Sequence, residues 1–212
     1  MKRFLCFIAT FALVVLMFPQ TAFAAKKSTD LSSQMQVVAE YNYQISPYSN
    51  SINYIVIVQN NSQSAARIEA NGYALDASGT IVEVKLDAIN SLAPGKQAVL
   101  DFWMENDDNN EVAFTSQIKA TTLAYEKDYS DSIVYSMNPT SNSAIVTLTN
   151  AGDKEASVVV QAVFLNGADI AYYNFDYVYE MTPGLTEAVQ LESGNRSFDN
   201  CLILVQSSYF TF

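Results

Sequence analysis

The chain of 212 residues contains no histidine. That absence removes Ser–His and Cys–His nucleophile pairs, histidine-ligated zinc and a histidine general base. Cysteine occurs only at Cys6 and Cys201. Cys6 falls in a leader expected to be cleaved, so Cys201 stands alone, without a disulfide or a thiolate metal site. Its setting, Cys201-Leu202-Ile203-Leu204-Val205, reads as a buried strand with an inert core thiol. Glycine is sparse, at 7 residues, and forms neither a phosphate-binding loop nor a Gly-x-Ser-x-Gly elbow. Positive charge is scarce as well, with 11 Lys and Arg against 22 Asp and Glu. Such a chain is a poor partner for nucleic acid or an anionic lipid surface. After the first 18 residues no apolar run is long enough to span a bilayer. Carboxylates remain as the only chemistry, as in glycosidases, and no pair of them is marked out by the sequence. The chain therefore reads as non-enzymatic and without a cofactor.

Residues 1–24 have the pattern of a secretory signal. Lys2 and Arg3 open it, Phe4 to Phe18 is apolar or small, Pro19 breaks the helix and Ala22-Phe23-Ala24 forms a cleavage site. Loss of its two positive charges takes the net charge from −11 to −13. The expected location is the cell surface or the extracellular space, with a periplasm as the alternative. Residues 25–34 read as a flexible lead-in.

What the chain does have is a repeat. Asn60, Ala66, Ile68, Leu75 and Asp76 align with Asn150, Ala156, Val158, Leu165 and Asn166 at a shift of 90. After one deletion Ile81, Leu86, Pro94 and Gly95 align with Ile170, Phe175, Pro183 and Gly184 at a shift of 89. A repeat of that length is a small domain. Runs rich in Val, Ile and Tyr recur between turn residues, so the pattern is β throughout. Strands are predicted at 35–43, 53–59, 66–75, 80–89, 97–104 and 112–125, then at 132–137, 143–149, 156–165, 169–179, 186–191 and 201–212. Spacing of this kind predicts two tandem immunoglobulin-like or fibronectin-like β-sandwiches, over 35–127 and 128–212. The charged stretch Glu126-Lys127-Asp128 is the expected boundary. The rival architecture is an outer-membrane barrel ending in Tyr209-Phe210-Thr211-Phe212, against which stand the repeat and the strands that are apolar on both faces.

The turns carry a resemblance. Asn60-Asn61-Ser62, a long strand ending in Leu75-Asp76, the Gly79 turn and Leu92-Ala93-Pro94-Gly95 follow in order, and the second copy has Phe164-Leu165-Asn166-Gly167 and Met181-Thr182-Pro183-Gly184. This resembles the FxLYD-type domain of bacterial secreted proteins, although Ala74 stands where the first copy should have its aromatic. The resemblance implies an extracellular interaction module and carries over no catalytic residues.

Three features could bear function. The acidic run over 105–111 offers hard oxygen ligands but lacks the alternating spacing of a calcium loop, so it reads as a solvated hairpin. Tyr173, Phe175, Tyr177 and Tyr179 share one strand face. Their counterparts Val84, Leu86, Ala88 and Asn90 are mostly aliphatic, so this face is expected to be core. Trp103 is predicted to point outward between Asp101 and Glu105, opposite the apolar face of Leu100, Phe102 and Met104. An outward Trp is a candidate contact residue. The resulting expectation is a secreted binding or structural module with an unknown protein or glycan partner, contacted at Trp103, Asp101 and Glu105. The alternatives are a carbohydrate-binding module that uses Trp103 and rim tyrosines, and an assembly subunit that pairs through strand edges.

Overall fold

A computed structural model describes residues 28–106 and 110–210. The leader, Phe212 and the centre of the acidic run lie outside the described residues. The chain is all-β. Its strands are β1 (Met35–Gln44), β2 (Ile52–Asn60), β3 (Ala66–Leu75), β4 (Ile81–Leu92), β5 (Gln97–Met104), β6 (Ala113–Thr122), β7 (Glu126–Asp128), β8 (Ile133–Pro139), β9 (Ser143–Asn150), β10 (Ala156–Asn166), β11 (Asp169–Met181), β12 (Thr186–Glu192) and β13 (Asn200–Phe210). Among the described residues helical structure is confined to single 3-10 turns at Ser32–Gln34 and Ser130–Ser132.

The strands form four open sheets, in the orders β4-β3-β6, β1-β2-β5, β11-β10-β13-β7 and β12-β9-β8. They stack face to face in that sequence. One core, built on Val56, Ile68, Leu92, Leu100 and Phe102, fills the space between the first two sheets. A second, built on Val146, Leu148, Val160, Phe164 and Met181, joins the last two. A third joins the middle sheets through Tyr43, Ile55, Ile57, Val99, Val163, Tyr173 and Leu204. The stacking explains the doubly apolar strands. In β2, Tyr54, Val56 and Val58 enter one core while Ile55 and Ile57 enter the next, because successive side chains leave a strand on opposite faces. A strand buried on both faces reads as a continuous apolar run.

Asn60 and Asn150 hold corresponding turns in the same way. Both are fully buried. The Asn60 side chain donates to the carbonyls of Ser64 and Leu92, at 2.9 and 2.8 Å, and accepts the Ser62 N–H. Asn150 donates to Lys154 and Met181, at 2.8 and 2.7 Å, and accepts the Gly152 N–H. The backbone carbonyls of the two asparagines accept the N–H of Gly95 and Gly184. Those glycines have φ of 75° and 80° and follow Pro94 and Pro183, which is type II turn chemistry.

The stretch Glu126-Lys127-Asp128 is more than a link. It is β7, paired with Phe210, Tyr209 and Ser208 of β13 at the edge of the third sheet. Asp128 also accepts a 2.7 Å bond from the Ser91 hydroxyl, which ties this edge to the end of β4.

Candidate functional site: a cleft lined by acids and tyrosines

β5 is an edge strand, and an unpaired edge presents bare N–H and C=O groups. Side chains cap it here. The Gln161 amide, reaching across from β10, accepts the Val99 N–H and donates to the Val99 carbonyl, both at 2.9 Å. Its second N–H goes to the Tyr173 hydroxyl and its second lone pair takes the Gln206 amide, at 2.8 and 2.7 Å. All the bonding capacity of a carboxamide is thereby used inside a dry interface. Further along β5, Asp87 of β4 accepts the Asp101 N–H at 2.7 Å, and Glu83 accepts the Glu105 N–H.

Beside this capped edge lies a cleft of about 600 Å³. Its floor is the face of the third sheet that turns toward the second, with Ser157, Val159 and Gln161 of β10, Gln206 of β13 and the aromatic row of β11. Its wall is Asp87 to Ser91 of β4 with Val99 and Asp101 of β5. Glu126 of β7 and Ser208 of β13 also line the cleft.

The aromatic row is a ladder rather than a core. Tyr173 stacks on Phe175 with centroids 5.9 Å apart, Phe175 meets Tyr177 edge-on at 5.5 Å, and Tyr177 stacks on Tyr179 at 5.7 Å. Exposure climbs along it, from 5% at Tyr173 to 42%, 48% and 69%. Only Tyr173 lies in a core, so the expectation of a buried aromatic face is corrected. The comparison with the first copy misled for a physical reason. Aliphatic counterparts need not be buried, and Val84 and Leu86 of β4 are themselves exposed, since β4 and β11 are edge strands.

Two carboxyls face the ladder. Burial, reinforced by the adjacent Asp87 charge and only partly offset by Asn53, pushes Asp101 up to about 7. Burial also raises Asp87, against the stabilising N–H groups of Asp101 and Ala88. Asp87 in turn raises the phenols of Tyr173 and Tyr177, behind the larger effect of their own burial. Glu126 Oε2 is buried and without a hydrogen-bond partner, and the buried Asp101 Oδ1 meets none beyond the Asn53 side chain. Lysine and arginine are absent from the described residues that line the cleft.

The three residues expected at the site are divided. Asp101 lines the cleft. Trp103 points outward with 57% of its surface exposed, and no loop or sheet among the described residues covers it. Glu105 is exposed and pairs with Lys85 at 3.0 Å. Trp103 and Glu105 do not line the cleft. Cys201 is half-buried, and burial raises its thiol to about 11, which leaves it unreactive at neutral pH. Among the described residues no group of three or more Asp, Glu or Cys is arranged to hold a metal.

No protein-family model matches the chain, and no curated protein matches it. Among solved structures the chain is similar to red sea bream transglutaminase, at 11% identity and a TM-score of 0.30. The match covers 82% of this chain and 29% of that one.

Proposed function

We propose that this chain is an extracellular, non-catalytic binding module whose ligand is a glycan lying along the cleft. The observation that carries this reading is the exposed ladder Phe175–Tyr177–Tyr179 beside Asp87 and Asp101. Aromatic faces offer apolar area to sugar rings at little cost in side-chain entropy, and carboxylates, amides and serines beside them accept and donate to hydroxyls. The signal-like leader and the FxLYD-like turns support an extracellular role. A binding role fits Asp87 better than catalysis does, because both its oxygens are committed to backbone N–H groups. Trp103 supplies a second reading, since an exposed, uncovered Trp on the same β5 face is a contact surface in its own right.

Depletion assays with the mature chain on insoluble peptidoglycan, chitin and xylan separate the two. Replacement of Tyr177 and Tyr179 by alanine removes exposed rings and leaves the cores intact. The double variant should lose at least about tenfold in affinity for the retained polysaccharide. If Trp103→Ala abolishes retention while the tyrosine variant keeps it, the site belongs to the Trp103 patch. Retention of the unaltered chain on none of the polysaccharides overturns the glycan reading.

A further inference from the structure

The cleft has two properties that a site for a neutral sugar does not need. It contains three carboxyl groups, Asp87, Asp101 and Glu126, with no basic side chain among its described lining residues. One of those carboxyls, Glu126 on β7, keeps a buried oxygen, Oε2, without a hydrogen-bond partner, and Asp101 on β5 meets no partner for Oδ1 beyond the Asn53 side chain. An unpaired buried acceptor is costly, and a carboxylate oxygen more so. The usual relief in a folded protein is a basic neighbour. Lys85 is the basic residue of β4 nearest in sequence to Asp87, and it is engaged elsewhere by Glu83 and Glu105, at 2.9 and 3.0 Å.

The ring faces lead to the same chemistry. Phe175, Tyr177 and Tyr179 are exposed along the β11 side of the groove, and Glu126 stands on β7 at the opposite edge of the same sheet. An ammonium over a Tyr or Phe face is attracted by the ring quadrupole, most strongly where water is excluded. Elsewhere the chain satisfies its aromatic pairs with its own cation, since Arg196 lies 5.0 Å from the Tyr43 centroid and 5.7 Å from that of Tyr172. The cleft ladder has no such partner among the described residues. The raised Asp101 carboxyl fits a site that is short of positive charge.

We infer that the cleft selects glycans that carry free amines, with ammonium groups reaching Asp101 and Glu126 while the sugar rings stack on Phe175, Tyr177 and Tyr179. This rests on the glycan reading above and narrows it. A glycan rather than a basic peptide is favoured because the exposed rings form a continuous row edged by the short polar side chains of Asn90, Ser157 and Ser208, which suit hydroxyls.

The test is calorimetric titration of the mature chain near pH 7, where sugar amines are still partly charged and Asp101 is able to ionise. The probes are a glucosamine oligosaccharide, its fully N-acetylated counterpart and oligolysine of equal length. Binding of the free-amine sugar at least about tenfold tighter than the acetylated one is expected. The near-isosteric changes Asp101→Asn and Glu126→Gln should erase that preference, so that the variant binds the free-amine and the acetylated sugar equally. Equal binding of both sugars, or tighter binding of the acetylated one, overturns the inference and leaves the glycan reading standing. Oligolysine that binds as tightly as the free-amine sugar and displaces it also overturns the inference, and makes the groove a site for basic peptide. Failure of all three probes overturns it as well, and the polysaccharide retention assay then decides the broader reading on its own.

Discussion

At the scale of single residues, buried amides organise this protein. Asn60 and Asn150 each tie a turn carbonyl and a strand-end carbonyl to one side chain, and the strand-end carbonyls, of Leu92 and Met181, are buried away from water. Truncation leaves those acceptors unpaired in a dry setting, which costs more than the loss of an ordinary bond. Asn60→Ala and Asn150→Ala should each lower unfolding stability by about 2–4 kcal/mol in urea titrations, with the m-value unchanged. A loss below about 1 kcal/mol for both would show that the turns hold without them. The sequence made these two residues visible, because they recur at the same place in the repeat. Gln161 was not singled out, although the sequence holds a signal for it. A lone amide inside Val158-Val159-Val160-Gln161-Ala162-Val163-Phe164 is out of place in an apolar run and must find partners. That those partners would be the edge of β5, Tyr173 and Gln206 could not be read, since they lie 62, 12 and 45 positions away, the first brought by sheet stacking and the other two by pairing of β11 and β13 with β10.

At the scale of elements, strand patterning was legible and burial was not. The predicted spans agree with β3 and β5 at both ends, and most others differ by one or two residues. Period-two alternation correctly set Leu100, Phe102 and Met104 inward and Trp103 outward. It could not tell which outward face would meet another sheet. The β11 ladder and the counterpart positions of β4 are all outward, yet the ladder with Ala88 and Asn90 lines the cleft between sheets while Val84 and Leu86 do not. One glycine shows how closely the first two sheets approach. A Cβ on Gly72 of β3 would lie 2.4 Å from Phe102 Cγ, and Phe102 is fully buried with no free space to turn into. Gly72→Ala should therefore destabilise by about 1–3 kcal/mol although alanine suits a strand better than glycine does. Phe102→Leu in the same chain should recover part of that loss, since a smaller side chain makes room for the methyl group. Additive losses in the pair would show that the two sites do not touch.

At the scale of the whole molecule, the cleft exists because the halves of the chain dock sheet to sheet. The third core, the Gln161 network and the Arg196 bonds to the carbonyls of Gln44 and Ile45 hold them together. Docking also places Asp101 of one half against Tyr173 of the other and withdraws both from water. Around Asp101 stand Asp87 from β4, Asn53 from β2, Tyr43 from β1 and Tyr173 from β11. None of them is a cation, so the folded state holds its proton up to about pH 7. The unfolded chain releases that proton near pH 4. Between those values the folded state binds more protons than the unfolded one, so stability falls as pH rises, and it levels off above about 7. Asp87, raised for the same reason, acts with the same sign. Asp101→Asn removes the titration and keeps the shape. Unfolding free energies of the two proteins should coincide near pH 4 and diverge toward pH 8, with the asparagine variant more stable by on the order of 3 kcal/mol. The difference between the two curves isolates this carboxyl from the other acids of a strongly acidic chain. A flat difference across that range would mean that water reaches Asp101 freely and that the halves do not close over it.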